Sequence, residues 1–410
     1  MTPALVDSHT VVVVAFAEAL AAPEAVWSLV DAGFTVIAAV RRGALTALSH
    51  SRLVTLHEIP PPETDAAVAQ HALTELLVEI RRGGGYTRHV LLPLDDVAVW
   101  LCHRAAREAD WLYAGPCDEA TLALALDKRR QIEAARAAGL EVPPTLVAES
   151  PADLEHTPFG FPIILRPAQA VRPTGSKIHK GRNWICSDAD ELATALRGWK
   201  GEGPMLVQPY IEGTGEGVFG LMTDTGVLGW SAHRRLRMMN PHGSGSSACV
   251  SRRVDDASKA PIEALLRDAG WRGMFMIELL RDAGGKLHFV EFNGRAWGSM
   301  ALARHLGLEY PAWSVMQALG EVIPADALPA PRDGVVCRNL GRELMHLLFV
   351  VRGRRSRAMR HWPTFWSALR DMLRPHPGGS FYNWRRNDWR VFASDCYYTI
   401  LRNVAKPRRS

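Results

Sequence analysis

The 410-residue sequence predicts an α/β domain followed by α+β domains, and three observations carry that expectation. Through the first third, β-branched runs alternate with helix-like stretches, as in an open, doubly wound sheet. Paired apolar runs joined by short glycine-bearing turns follow, as in antiparallel sheets built from hairpins. From residue 331 onward the chain changes character and interleaves arginine with aromatic residues. A chain of 410 residues is too long for one simple core and suggests two or three domains.

Composition excludes several classes. An apolar share of 47% and a charged share of 22% are those of an ordinary soluble globular protein, not of a disordered chain. The six cysteines are scattered, with no C-x-x-C and no Cys/His cluster, which argues against a structural zinc site or a disulfide framework and for a reducing cytoplasm. The longest apolar runs, such as residues 11–17, are too short to span a bilayer. Asp7 and the lack of Lys or Arg before that run do not suit a signal peptide. The net charge of +5 is uneven: residues 330–410 hold 17 Lys and Arg against 5 Asp and Glu, so the body is acidic.

In chain order, Thr10–Phe16 is a continuous β-branched run suited to a strand buried on both faces. Helix-like Pro23–Ala32 ends at Gly33, and Thr35–Val40 is a second strand. Arg88–Pro93 is a later strand, followed by a helix from about Asp96 to Ala109. No G-x-G-x-x-G follows the first strand, which counts against an NAD-dependent enzyme. Asp118–Ala138 reads as one helix closed by Gly139, and an extended Val142-Pro143-Pro144-Thr145 follows. Phe161–Pro167 is a short strand ending in Arg166-Pro167. The loop Gln169–Arg182, rich in Gly, Ser, Lys and Arg, has the make-up of a phosphate-covering flap, although taken alone plain surface is the favoured reading. Asp188–Trp199 reads as a helix and Met205–Tyr210 as a strand. Val218–Met222 and Val227–Arg237 form a hairpin whose second strand puts Ser231, His233, Arg235 and Arg237 on one face. The polar loop Gly243-Ser244-Gly245-Ser246-Ser247 follows.

The most informative stretch is residues 273–303, where two β-prone runs flank Asp282-Ala283-Gly284-Gly285. A two-residue Gly284-Gly285 turn places Glu278 directly opposite Glu291, where like charges normally destabilise a sheet. Asn293 shares the face of Glu291, and Arg295 continues the row if the chain stays extended. Two carboxylates and an amide are oxygen ligands of the kind Mg²⁺ takes together with substrate phosphates, and a cation removes the repulsion. A solvated polar face is the expectation for one carboxylate, or for two out of register. The matched register favours the metal site. In the tail, Arg352, Arg354, Arg355, Arg357 and Arg360 precede Trp362, Phe365, Trp366, Phe381, Tyr382, Trp384 and Trp389. Such a tail can bind nucleic acid or a membrane surface; helices packing aromatic faces onto the body with arginines outward are the favoured reading.

Four signatures in order resemble the ATP-grasp superfamily, specifically its stand-alone carboxylate–amine ligase-like members. They are Leu126-Asp127-Lys128 with Ala138–Thr145 after it, FPIILRP (161–167), VQPYIEGTGEG (207–217) and VEFNGRAWGSMALA (290–303). The resemblance covers residue 11 to about 324 and matches the tail least. It implies a Rossmann-like pre-ATP-grasp domain (1–120), a lid subdomain (121–205) and a C-terminal subdomain with the metal site (206–330), before a basic helical extension (331–410). It implies ATP and Mg²⁺, with Mn²⁺ as a substitute, and small-molecule carboxylate and amine substrates in a cytoplasmic enzyme of a class in which homodimers are common. No nucleic-acid partner is expected.

Carried over position by position, Lys128 and Arg166 would touch the nucleotide. Gln208, Pro209, Tyr210 and Ile211 would form the adenine hinge, and Glu216 would hold the ribose hydroxyls. The strand face of His233, Arg235 and Arg237 could meet the triphosphate or an anionic substrate, a reading the resemblance favours over arginines simply solvated near a hairpin. Glu278, Glu291 and Asn293 would bind the metal, and Arg295 would steady the transferring phosphoryl group. Two departures stand out: Arg166 replaces an expected lysine, and Gly294 replaces an expected proline. The alternative they support is an ATP-binding regulatory or assembly protein with weak turnover, its basic tail serving as a partner surface.

Overall fold

The computed structural model describes residues 9–179, 181–199, 203–243, 245–323, 328–354, 358 and 361–404. Lys180 of the flap-like loop, Ser244 of the polar loop and Arg355, Arg357 and Arg360 of the tail lie outside the described residues.

The first sheet is parallel, with order β3-β2-β1-β4-β5: β1 (Thr10–Ala15), β2 (Thr35–Arg41), β3 (Thr55–Ile59), β4 (Arg88–Pro93) and β5 (Leu112–Tyr113). The unbroken valine run of β1 follows from burial on both faces. Val11 and Val13 enter one core with Leu73 and Leu101, while Val12 and Val14 enter another with Val26 and Leu29. Those partners lie on α2 (Ala66–Arg82), α3 (Asp96–Ala109) and α1 (Ala22–Asp31).

Residues 118–138 form two helices rather than one: α4 (Glu119–Leu126) and α5 (Lys128–Ala137). Asp127 between them is extended, bridges to Gln169, and caps α5 by accepting from the Arg129 amide. The Lys128 amide donates to the Ala168 carbonyl at 2.7 Å, and the Ala170 amide to that of Leu126 at 2.8 Å. This strand-like exchange outbids a continuous helix and fixes Lys128 at the start of α5.

The second sheet is antiparallel, with order β10-β7-β11-β6, from β6 (Leu146–Ala148), β7 (Ile163–Pro167), β10 (Trp184–Cys186) and β11 (Met205–Pro209). Its strands and α6 (Ala189–Trp199) share their own core of Ile163, Leu165, Leu192, Trp199 and neighbours. The loop after β7 holds a small hairpin, β8 (Arg172–Thr174) with β9 (Lys177–His179).

The third sheet has seven strands, ordered β16-β15-β12-β13-β14-β17-β18. They are β12 (Gly213–Thr223), β13 (Gly226–Met238), β14 (Ser246–Arg252), β15 (Gly273–Asp282), β16 (Leu287–Asn293), β17 (Val336–Arg338) and β18 (Ser380–Phe381). Against it lie α7 (Asp256–Asp268), α8 (Met300–His305), α9 (Tyr310–Ala318) and α10 (Leu340–Arg352). The tail completes the fold with α11 (Phe365–Leu373) and α12 (Trp389–Val404).

The tail is therefore not purely helical, because β17 and β18 extend the seven-stranded sheet. It also reaches the first domain: the Trp27 indole donates to Asp388 at 3.0 Å, and the Asn383 amide donates to Glu24 at 2.9 Å. Tyr382 is buried as a packing tail requires, but Trp366, Trp384 and Trp389 are at least half exposed.

Candidate active site

The Glu278–Glu291 pairing is present, with Ile277 opposite Phe292 and Met276 opposite Asn293. The turn that produces it is one residue longer than a two-residue Gly-Gly loop. The Gly285 amide donates to Asp282, the Asp282 amide donates to Lys286, and Gly285 takes the positive φ of 84°. That shift would have moved Glu291 out of register. A β-bulge at Val290 cancels it, since Leu279 faces Phe289 while Glu278 faces Glu291. Bulges re-aim side chains beside functional sites, and this one also frees a carbonyl: Arg166 Nη1 donates to the Val290 oxygen at 3.0 Å.

Each carboxylate is met by cations from separate elements. Arg166 Nη2 of β7 lies 2.7 Å from Glu291 Oε2, and Lys128 Nζ of α5 lies 3.6 Å from the same oxygen. Arg235 Nη2 of β13 lies 2.7 Å from Glu278 Oε1. Arg235 reaches Glu278 across β12, which lies between their strands. The glycines of GTGEG permit this. A Cβ at Gly215 would fall 2.8 Å from Arg235 Cδ, and one at Gly217 would fall 2.9 Å from Phe219 and 3.0 Å from His233 Nε2.

The same pairing separates Glu216 from the group. Gly217 faces both Glu278 and His233, so Glu216 points to the opposite side of the sheet. There it makes a two-pronged pair with Arg281, at 2.8 and 3.0 Å. No β12 carboxylate faces the cleft, which corrects the ribose role expected of Glu216. Glu216→Gln is accordingly expected to leave ATP affinity within about twofold, and dATP should serve as well as ATP. Equilibrium titration with both nucleotides checks this.

His233 is buried, and its Nδ1 lies 2.9 Å from Ser299 Oγ. Burial, reinforced by Arg235, pulls its imidazole down to about 3, so it is neutral at ordinary pH. In the unfolded chain it titrates near 6.5. Between those values only the unfolded state binds the proton, so stability falls as pH falls. Acidification from pH 7 to pH 5 should cost about 2 kcal/mol through this residue. Urea unfolding of His233→Gln at both pH values should show that part of the loss removed.

A bulge between Arg235 and Arg237 breaks the basic row, and Arg237 instead holds the buried Glu343 of α10 with its Nε 3.1 Å from the carboxylate. Arg237 thus anchors the tail rather than facing the cleft. The expected hinge lies at the end of the second sheet: Gln208 donates to Thr145 Oγ1 at 2.8 Å, and the Tyr210 amide donates to the Pro162 carbonyl at 2.9 Å. Pro209 pairs with Ile163 in register, and Ile211 follows, half-buried.

Arg295 does not continue toward Glu291 as a free arm. It forks onto Asp96 at 2.7 and 3.2 Å, at the N-terminus of α3. Burial opposes its charge, but Asp96, Glu291 and Asp95 outweigh that and raise its pKa. Sequence reasoning missed the group around it. Arg41 pairs with Glu18, with Glu63 at 3.1 Å and with Asp95 at 2.9 Å. These residues follow or end β1, β2, β3 and β4, the carboxyl edge of the parallel sheet, where the strand order reverses between β1 and β4. Ligands of open α/β sheets bind there, so Asp95-Asp96 directly after a strand was a signal that sequence reading could have used.

Gly294 has a local explanation. A Cβ at that position would collide with the Trp271 ring, itself buried and edge-on to Phe292 at 4.8 Å. The indole occupies the space that a larger residue at 294 would need.

The donor set fits a Mg²⁺ ion held jointly with phosphates. Glu278, Glu291 and Asn293 supply oxygens on one face, and Mg²⁺ is bound by one or two carboxylates plus substrate oxygens rather than by an all-protein cage. Among the described residues no group of three or more His, Cys, Asp or Glu forms such a cage. His233 Nε2 and Arg235 Nε are buried without a hydrogen-bond partner among the described residues, polar atoms left over beside this carboxylate pair.

No family model matches the chain. The D-alanine–D-alanine ligase of Methylococcus capsulatus (strain ATCC 33009 / NCIMB 11132 / Bath) is 29% identical over 188 residues, 42% of this chain and 56% of that protein. The chain therefore matches little more than half the length of this curated relative. An L-amino acid ligase from Bacillus licheniformis superposes with a TM-score of 0.60 at 14% identity, over 78% of this chain and 77% of that one. An N5-carboxyaminoimidazole ribonucleotide synthetase, solved as an ADP complex, superposes with a TM-score of 0.61 at 12% identity, over 91% and 97%. A parallel sheet followed by one antiparallel and one mixed sheet is the fold these solved structures share with the chain, the ATP-grasp fold. Among the described residues no helix is long and apolar enough to cross a membrane.

Proposed function

We propose that the protein is a Mg·ATP-dependent ligase that joins a carboxylate to an amine. The observation that carries this reading is the matched Glu278–Glu291 pair, countered by Lys128, Arg166 and Arg235 from three different elements. In this reading a substrate carboxylate oxygen attacks the γ-phosphorus and ADP leaves. The amine nitrogen, once its ammonium form has lost a proton, attacks the acylphosphate carbon; the carbon–oxygen bond to phosphate breaks, phosphate leaves, and the nitrogen gives up a second proton to solvent as the amide forms. Lys128, Arg166 and Arg235 turn from the carboxylates to the phosphates, where arginine forks suit oxyanions. Gln208, Pro209, Tyr210 and Ile211 hold the adenine. Glu278, Glu291 and Asn293 would hold Mg²⁺, which when bound supplies charge neutralisation among the phosphates.

The group at the edge of the parallel sheet suggests the amine. Glu18, Glu63, Asp95 and Asp96 gather there about Arg41 and Arg295, and carboxylates at such an edge suit an ammonium group. An amino acid carries that group, and the Methylococcus and Bacillus relatives are named for amino acid ligation. A second reading has one observation in its favour. Both carboxylates are already satisfied by arginines, as in a nucleotide-binding regulator with weak turnover. ADP release from Mg·ATP, measured with pooled amino acids and small carboxylates, separates the two. Pool-dependent release supports the ligase. Tight Mg·ATP binding with no stimulation by any pool supports the regulator.

A further inference from the structure

The face of the seven-stranded sheet turned away from the cleft carries a cavity of about 530 Å³. Its walls include Thr214, Glu216, Arg234, Arg252, Ser258 and Arg281. Alternation along β13 puts Arg234 here and Arg235 in the cleft, so the two sites lie back to back on one strand. Ala232 pairs with Arg252 and Arg234 with Val250, which makes the two arginines diagonal neighbours on the same face. Like charges so placed repel, and neither arginine has an ion pair or side-chain hydrogen bond among the described residues. The nearby carboxylates are committed elsewhere. Glu216 is held by Arg281 at 2.8 and 3.0 Å, and Asp255 accepts from the Ala257 amide at 3.1 Å as the cap of α7. Arg253, also on the wall, pairs with Asp333 at 3.8 Å. The cavity size suits a small molecule, and Thr214 and Ser258 add hydroxyl groups to its walls.

We infer that this cavity is a second binding site, separate from the nucleotide cleft, for a small anion with at least two oxyanion groups. Arg234 and Arg252 are its primary ligands. Phosphate and carboxylate groups share the planar, two-oxygen edge that guanidinium forks recognise. The inference does not depend on the ligase reading, because neither arginine faces the cleft.

Calorimetric titration of the full chain with inorganic pyrophosphate, and separately with citrate, tests it in nucleotide-free and magnesium-free buffer. The expected result is saturable binding that weakens at least about tenfold in Arg234→Ala and in Arg252→Ala, and is unchanged in Lys128→Ala. Binding by pyrophosphate alone assigns a phosphate ligand, and binding by citrate alone a carboxylate one. Arg252 is exposed, so its variant keeps the test valid if Arg234→Ala fails to fold. Binding lost only in Lys128→Ala would place the anion in the cleft and overturn the inference. Equal binding by wild type and both arginine variants, or no saturation by either probe up to about 1 mM, overturns it as well.

Discussion

Glu291→Ala should abolish substrate-stimulated ADP release, with kcat reduced at least about a hundredfold. The carboxylate both faces Glu278 and receives two cations, Arg166 at 2.7 Å and Lys128 at 3.6 Å. Its removal also leaves the Arg166 guanidinium buried and short of a partner. Breaking a buried pair from one side typically costs about 3–5 kcal/mol, so a lower thermal midpoint is expected beside the kinetic loss. Glu291→Gln separates the two effects. The amide oxygen can still accept from Arg166, so stability should largely return while turnover stays low, since one negative charge toward the ion is gone. A folded Glu291→Ala protein with wild-type turnover would remove the metal-site reading altogether.

Gly294→Ala should destabilise the protein by about 1–3 kcal/mol, the usual cost of overpacking a filled core. A single methyl group at 294 has no room beside Trp271. Trp271→Ala should cost about 3–5 kcal/mol as a large-to-small core change. The two changes should not add. With the indole gone the methyl group fits, so the double variant should be more stable than the sum of the singles by about 1–2 kcal/mol. Chemical denaturation of the four proteins measures that coupling. Strict additivity would mean that Trp271 does not set the residue at 294. The same logic predicts that Gly294→Pro alone is poorly tolerated, even though proline is what the superfamily signature leads one to expect.

The facing of Glu278 and Glu291 was legible from sequence because period-two alternation and a glycine turn determine facing residues. The register was right although the turn was longer than read, since the bulge at Val290 restored the offset. Bulges leave little mark in sequence, and the one before Arg237 escaped notice for the same reason. Glu216 was placed on the cleft by its motif, whereas the face it occupies depends on strand parity relative to Glu278, two strands from β13. The Asp96–Arg295 contact joins residues 199 positions apart and could not be read locally. The helix break at Asp127 likewise depends on a partner at Gln169 that no propensity records.

The separate core of the second sheet has a mechanical consequence. Residues of the parallel sheet and of the seven-stranded sheet appear together in both large clusters, and Trp27–Asp388 and Glu24–Asn383 rivet the tail across them. The β6–β11 layer is organised around a third, smaller cluster. Two parts of the molecule thus form one anvil, and the β6–β11 layer sits against it as a jaw, tied to the shared core through Leu206 and Ala168. Arg166 sits on that jaw with its charge gripping Glu291 on the anvil. The jaw cannot lift from the anvil without breaking that ion pair, which makes Arg166 an ionic latch between them.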